Sequence, residues 1–481
     1  MADGATRPPS QLVDFQIVAI GLIVATGLAY DPLPYLCVVI PALLPLYLWL
    51  KARAPGLPTL PLIGALSIIY YAVPVLRGQL PDQDPGELLY ATMTVGAFLA
   101  SATIMYAPFL RLARRRQRRN DLAGIAEPLT VELAFIGLAV GIAFYAASFA
   151  GWLEWLGSFA GVVRAVTLTF GSIGCYLVGN ARARNLLRGE PWVAALLCLA
   201  ALTMLSINGL LLVGGAVNLL AAILGYVVGA RRIPWITLAV VFTLISVFQA
   251  GKFDIRAERA DESAAVSLTA LPGTIIEWFV DGIDALWSGA NEIDALERAS
   301  LLWVVIRVEE ATPDFVPYLD GETYALLPQI VLPRFVDEDK IKSQAGLNLL
   351  AVHYGFQVAD ATDRTTIGFG LVAEAYANFG FVGVLAIGAL FGVLCGAITW
   401  FGAGASAISL PMLISIAATS VLLNVEADFS YLIVTMGQAV AGVVIAAVVA
   451  PLIKMLLPAR SGAFLPPAAR RGVAFIDRNV R

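Results

Sequence analysis

The sequence predicts an all-α polytopic membrane protein, with about twelve transmembrane helices and one large helical loop outside the cytoplasm. Three observations predict it. Hydrophobic residues make up 59% of the 481 residues and charged residues 14%, with a mean hydropathy of +0.81; a water-soluble chain of this length cannot hide so much apolar surface. Runs of about twenty apolar residues recur, each long enough to cross the hydrocarbon core. Arginines cluster after alternate runs, on one side of the membrane.

The expected spans lie near 12–30, 33–50, 59–76, 88–110, 129–149, 159–179, 191–208, 210–229, 233–250, 375–400, 407–424 and 430–455. Met1 to Gln11 is polar and precedes a long apolar run with no small-residue cleavage site, so that run reads as a span and not as a removable signal peptide. Orientation follows from the bases. Lys51 and Arg53 follow the second run and Arg111, Arg114, Arg115, Arg116, Arg118 and Arg119 the fourth. Arg182, Arg184 and Arg188 follow the sixth, Arg231 and Arg232 the eighth, and Lys454, Arg460, Arg470 and Arg471 the last. All fall on the cytoplasmic side if the count holds, with both termini. Asp31, Asp82, Asp84, Glu87 and Glu154 occupy the opposite loops. The expected organisation is a bundle over 1–250, an outer loop domain over 251–370, a second set of spans over 371–457 and a cytoplasmic tail over 458–481.

Composition also excludes function classes. A net charge of -4 argues against a nucleic-acid partner. One histidine and four cysteines are too few for a zinc cluster. Cys37, Cys175, Cys198 and Cys395 fall in apolar runs and imply no disulfide framework. Nine spans before the long loop and three after it argue against a duplicated transporter.

Within the outer loop, Leu271 to Ala290 has helical spacing, with Ile275, Phe279, Ile283 and Leu286 on one face and Glu277, Asp281 and Asp284 on the other. It is expected to lie on the membrane or the bundle, with Trp278 and Trp287 at headgroup depth. A second helix is expected from Asp294 to Glu310, and a short third from Thr323 to Gln329. The bases of this loop need explaining, because positive charge is not favoured on this side. Lys252, Arg256, Arg334 and Lys340 read either as solvated or salt-bridged charge or as an anion site, since guanidiniums grip phosphate oxygens bidentately. Arg164 sits in the outer half of the sixth span, where a charge marks a functional site or snorkels to the headgroups.

The segment from Glu297 to Gly383 resembles the Wzy-type polymerases of bacterial surface polysaccharides. The likeness rests on Thr312-Pro313 with Gly321-Glu322-Thr323-Tyr324, on Leu332-Pro333-Arg334-Phe335, and on Glu374-Ala375-Tyr376-Ala377-Asn378-Phe379-Gly380-Phe381-Val382-Gly383. Where many such polymerases follow proline-arginine with a tryptophan and a lysine-proline, this chain has Val336-Asp337-Glu338 and Lys340-Ile341.

The resemblance implies a metal-independent glycosyltransferase of the bacterial inner membrane, with a GT-C-like architecture and the loop in the periplasm. The growing glycan would pass from undecaprenyl diphosphate to the terminal sugar of a lipid-linked repeat unit, with membrane lipid and a chain-length-regulating co-polymerase as partners. On this reading Arg164, Lys252, Arg256, Arg334 and Lys340 hold the diphosphate. Glu374, about five residues above the next apolar run, or His353 serves as the base. Glu322, Asp363, Glu426 and Asp428 contact sugar. The plainer readings are a helix-dipole carboxylate for Glu374, a structural histidine, a helix cap for Asp363, a loop-shaping arginine partner for Glu322 and loop solvation for Glu426 and Asp428. Alternative activities are a lipid-linked glycan ligase and a flippase or transporter of such glycans.

Overall fold

The computed structural model describes residues 10–78, 83–120, 127, 129–207, 212–251, 255, 269–288, 300–331, 341–363 and 366–456. Among these residues there are helices and no strand. In chain order they are α1 Ser10–Leu28, α2 Pro32–Lys51, α3 Thr59–Ser67, α4 Pro85–Arg119, α5 Leu129–Phe149, α6 Ala160–Ala183, α7 Glu190–Ser206, α8 Leu212–Ala230 and α9 Trp235–Ala250. There follow α10 Leu271–Ser288, α11 Leu301–Ala311, α12 Ala345–His353, α13 Gly370–Gly402, α14 Leu410–Leu422 and α15 Phe429–Leu456. The chain divides into a unit Met1–Val443 and a short unit Val444–Arg481.

The stretches expected to span coincide with α1–α9 and α13–α15. Among the described residues, seven helical stretches are long and apolar enough to cross a bilayer, as a polytopic membrane protein requires: Pro32–Lys51, Thr59–Leu76 (α3 continued through the π turn Ile68–Ala72), Pro85–Arg119, Leu129–Phe149, Ala160–Ala183, Gly370–Gly402 and Phe429–Val448. The helices α7, α9 and α14 are shorter. At 13 residues, α14 rises only about 20 Å, less than the roughly 30 Å hydrocarbon core, and is shorter than the span expected over 407–424. Large apolar side chains stand outward on many of these helices, including Ile104 (69% exposed), Leu197 (67%) and Ile236 (83%). Such surface suits lipid and not water.

Helix starts follow the expected chemistry. Asp31 accepts from Leu33 N ahead of Pro32, and Asp84 accepts from Gly86 N (2.7 Å) ahead of Pro85. In each case a side-chain oxygen satisfies a free N–H and proline occupies a position that needs none.

Packing between helices is close where residues are small. Gly388, Gly392 and Gly396 form a stripe on α13, and a Cβ at Gly392 would run into Ala102 O on α4. Contacts advance together along the two helices, from Gly388 on Phe98 to Gly396 on Phe109, so α4 and α13 run parallel. Their ends are joined by the Arg116 guanidinium, 5.3 Å from the Trp400 ring. Helices α6 and α8 are likewise parallel, Gly179 lying on Ala222 and Gly229 on Ala183, whereas α5 and α6 are antiparallel.

Two large cores and a small third result. One joins α2, α3, α4 and α13 with the loop helices α11 and α12, through Leu302, Val305, Val308 and Leu350. Another joins α5–α8 with α14 and the first part of α15. The third packs Leu271, Ile275 and Trp278 of α10 with Ile207 and Ile255. Of the described loop helices, α11 and α12 therefore share a large core with the long helices, and α10 does not.

Three boundaries and faces differ from expectation. Ser300 has extended backbone and its hydroxyl accepts from Trp303 N, so α11 starts at Leu301 and does not run from Asp294. Thr323 to Gln329 is not one helix but two short turns, Glu322–Ala325 and Leu327–Val331. On α10 the buried face is Leu271, Thr274, Ile275, Trp278 and Ala285. Trp278 is only 1% exposed and donates from Nε1 to Phe248 O (2.7 Å), so it is packed on α9 and not at a headgroup. Ile276, Val280, Ile283 and Trp287 form the outward apolar stripe instead.

Candidate functional site

The helix α13 is broken. Phe379 (φ -142°, ψ 15°) and Gly380 (φ 61°, ψ -157°) leave helical geometry, and the positive φ of Gly380 is one that a side chain would oppose. At the break, the loop segment Tyr318–Thr323 engages the carbonyl of Ala377 and the side chain of Asn378. Leu319 N donates to Ala377 O (3.0 Å), and Gly321 N donates to the Asn378 side-chain oxygen (3.1 Å).

Glu374 lies one turn before Asn378 and is fully buried. Its Oε1 accepts from Thr323 Oγ1 (2.9 Å) and its Oε2 from Phe429 N (2.7 Å), at the start of α15. Asn378 Nδ2 donates to Thr323 Oγ1 (2.9 Å) and to Glu374 O (2.8 Å). Ser430 Oγ donates to Thr323 O (3.2 Å). The sequence reads Glu374 as the base for the acceptor hydroxyl, at the level of the lipid diphosphate. The structure encloses it among three segments with both oxygens engaged.

Asp428 joins the same node. It too is fully buried; Oδ1 accepts from Tyr431 N (3.0 Å), capping α15, while Oδ2 has no partner and lies against Gly346 in the first turn of α12. Burial pushes its carboxyl above the usual range. The Tyr324 hydroxyl is buried and unpartnered, and burial with the nearby Glu374 and Asp428 carboxyls pushes it up. Its ring stacks on Phe379, centroids 5.8 Å apart.

The other expected residues are dispersed. Glu426, expected with Asp428 to contact sugar, is half-buried and lies beside Tyr70, and its carbonyl accepts from Gly370 N (3.1 Å). The two acids of that turn thus face different neighbours. Glu322 opens its short helix with an exposed side chain. Asp363 closes the 3-10 turn Ala359–Asp363. His353 ends α12, and its Nε2 meets Pro317 O at 3.0 Å. A carbonyl only accepts, so Nε2 carries the proton and Nδ1 is left as an acceptor. Arg164 lies in the first turns of α6, exposed and near Tyr145. Lys252, Arg256, Arg334 and Lys340 lie outside the described residues.

Sequence reading missed Glu309. It sits near the end of α11, where that helix packs on α4 and α13. Neither carboxyl oxygen has a hydrogen-bond partner, and both are shut off from solvent. The Thr94 hydroxyl lies beside it and tempers the effect of burial without forming a hydrogen bond of good geometry. Burial pushes this carboxyl up to about 8. Only the burial marks it, because Glu309-Glu310 in the sequence reads as a solvated pair.

The raised value has a consequence for stability. Below about 4.5 the group is protonated in folded and unfolded chains alike, and its contribution is fully present. As pH rises towards about 8 the unfolded chain releases the proton and the folded one keeps it, so stability falls. Glu309→Gln is expected to flatten this decline, on the order of a few kcal/mol, in thermal unfolding measured across that window. An unchanged slope would show that Glu309 is not the group responsible.

Comparison of the chain with family models, with curated proteins and with solved structures finds no match.

Proposed function

We propose that this chain is a twelve-span polymerase of a bacterial surface polysaccharide, working at the periplasmic face of the inner membrane. It transfers the growing glycan from undecaprenyl diphosphate to the terminal sugar of a lipid-linked repeat unit. The observation that carries the reading is the meeting of two pieces of the resemblance. Thr323 of the Gly-Glu-Thr-Tyr piece and Glu374 of the last piece, 51 positions apart in the chain, share a buried hydrogen bond. The second piece, Leu332-Pro333-Arg334-Phe335, begins directly after the turn Leu327–Val331 that this node anchors.

Helix directions support the span count. Parallel packing of α4 with α13, and of α6 with α8, is what parity requires if each lies an even number of crossings apart.

In this reaction the acceptor hydroxyl oxygen attacks the anomeric carbon. The bond from that carbon to the diphosphate oxygen breaks, its electron pair leaving with the diphosphate. Arg164, Lys252, Arg256, Arg334 and Lys340 are assigned to stabilise that charge as it develops. The hydroxyl proton passes to His353, whose Nδ1 is the acceptor left when Nε2 donates to Pro317 O. Glu374 and Asp428 act as positioning residues that hold the loop, and Glu322 and Asp363 are left for sugar contacts. A chain-length-regulating co-polymerase is the expected partner, and no metal is needed.

Arg334→Ala and Arg256→Ala are each expected to abolish polymer while leaving the amount of protein in the membrane unchanged. The measurement is the ladder of lipid-linked glycans on a gel. Wild-type chain lengths in both variants would remove the anion site. A ladder that lengthens normally but fails to leave its lipid would point to a ligase.

A further inference from the structure

The Glu309 cluster adjoins the break in α13, where Tyr318 lies against Gly380. Tyr376 Oη and Tyr90 Oη are 3.5 Å apart, their rings meeting edge to face at 6.4 Å. Tyr318 lies 6.5 Å from Tyr376 by ring centroids. Glu309 approaches Tyr376 from α11, and Thr94 approaches Glu309 from α4. Tyr90 is 43% exposed, so the cluster reaches the surface at one edge. Its rim carries the exposed Arg307–Glu310 ion pair, 2.8 Å.

Orphaned buried oxygens are uncommon, because each forfeits its water without replacement. Here three belong to two side chains that face one another, Glu309 and Thr94. We propose that this cluster binds a sugar ring, Glu309 and Thr94 gripping neighbouring hydroxyls while Tyr90, Tyr318 and Tyr376 supply ring faces and phenol contacts. Sugar hydroxyls both donate and accept, and so do the phenols and the threonine. A hard cation would take six or more oxygen ligands, and among the described residues no three acids, histidines or cysteines converge. The raised proton affinity of the Glu309 carboxyl also fits a neutral ligand better than a cation.

Taking this sugar to be part of the lipid-linked repeat unit rests on the proposed polymerase activity. The hydroxyl-binding site itself does not.

The test is thermal unfolding of the full chain in lipid nanodiscs. The probes are a panel of methyl glycosides (gluco, galacto, manno, rhamno and N-acetyl forms), undecaprenyl diphosphate without sugar, and magnesium or sodium ions alone. At least one glycoside is expected to raise the melting temperature of the wild type. Its apparent affinity should fall roughly tenfold or more in Glu309→Ala and in Thr94→Val, with the response to undecaprenyl diphosphate unchanged. If Glu309→Ala does not fold, Thr94→Val and Tyr90→Phe carry the same comparison.

A panel with no effect on the wild type overturns the proposal, as does an equal effect on wild type and variants. So does a response to cations alone that Glu309→Ala abolishes. Glycoside binding that the variants lose, in a protein that never responds to undecaprenyl diphosphate, would keep the sugar site and remove the polymerase.

Discussion

Gly392→Leu is expected to leave almost no folded protein in the membrane. A Cβ at this position would run into Ala102 O, a backbone atom in the middle of α4, with Ala102 C and Cα also too close at 2.7 Å. Rotating a side chain cannot relieve such a clash, so the helices must separate. Helix pairs in lipid are held by van der Waals contact and not by the hydrophobic effect, which makes separation costly. Separation would also undo the Phe98–Phe391 ring contact at 5.9 Å and the Tyr106–Thr399 hydroxyl contact at 3.2 Å. The matched control is Gly437→Leu. Gly437 lies on α15, and a Cβ there meets nothing within 4 Å. Both variants add the same hydrophobic mass, so only packing distinguishes them. Size-exclusion profiles from membranes expressing each should show a monodisperse peak for Gly437→Leu and aggregate or nothing for Gly392→Leu. Equal peaks would mean that α4 and α13 are not packed this closely.

On the proposed reading, Glu374→Ala is expected to release the loop over 312–331 and abolish polymer together. The alanine strands two donors, Thr323 Oγ1 and Phe429 N, in a site closed to solvent. Each stranded group is worth about 1–3 kcal/mol, a large share of a total stability of roughly 5–15 kcal/mol. Glu374→Gln should be milder, since its amide oxygen still accepts one of the two bonds while its NH2 faces the other donor. Limited proteolysis reads the release directly. Cleavage within 312–331 should be fast in Glu374→Ala, slower in Glu374→Gln and slowest in the wild type. If the alanine variant keeps the wild-type cleavage rate and melting temperature but loses polymer, Glu374 is a reacting group and not an anchor.

Much of the helical layout was legible from local signals. Apolar runs of about twenty residues mark helices whatever their neighbours, and proline after Asp31 or Asp84 marks where they start. The candidate site was legible only in part. The piece Glu374–Gly383 stands out in the sequence by its resemblance, but its break was not foreseen. A Phe-Gly pair inside an apolar run has the hydropathy of a continuous helix, and Gly380 leaves helical geometry where Tyr318 lies against it and Leu319 N engages the Ala377 carbonyl.

The acidic residues show the same division. Glu426 and Asp428 are two positions apart and look equivalent in sequence, yet one lies beside Tyr70 and the other is buried under Gly346. Glu309 and Glu310 are adjacent, yet one pairs with Arg307 at the surface and the other is closed in against Thr94. The sequence by itself determined which stretches are helical, which are apolar enough for lipid and where the basic residues gather. Those properties are sums over neighbours in the chain. Which carboxyl is buried, which loop enters the broken helix and which tyrosines surround Glu309 were decided by contacts between distant segments. Such contacts depend on how whole helices rotate and approach, and no local window carries that information.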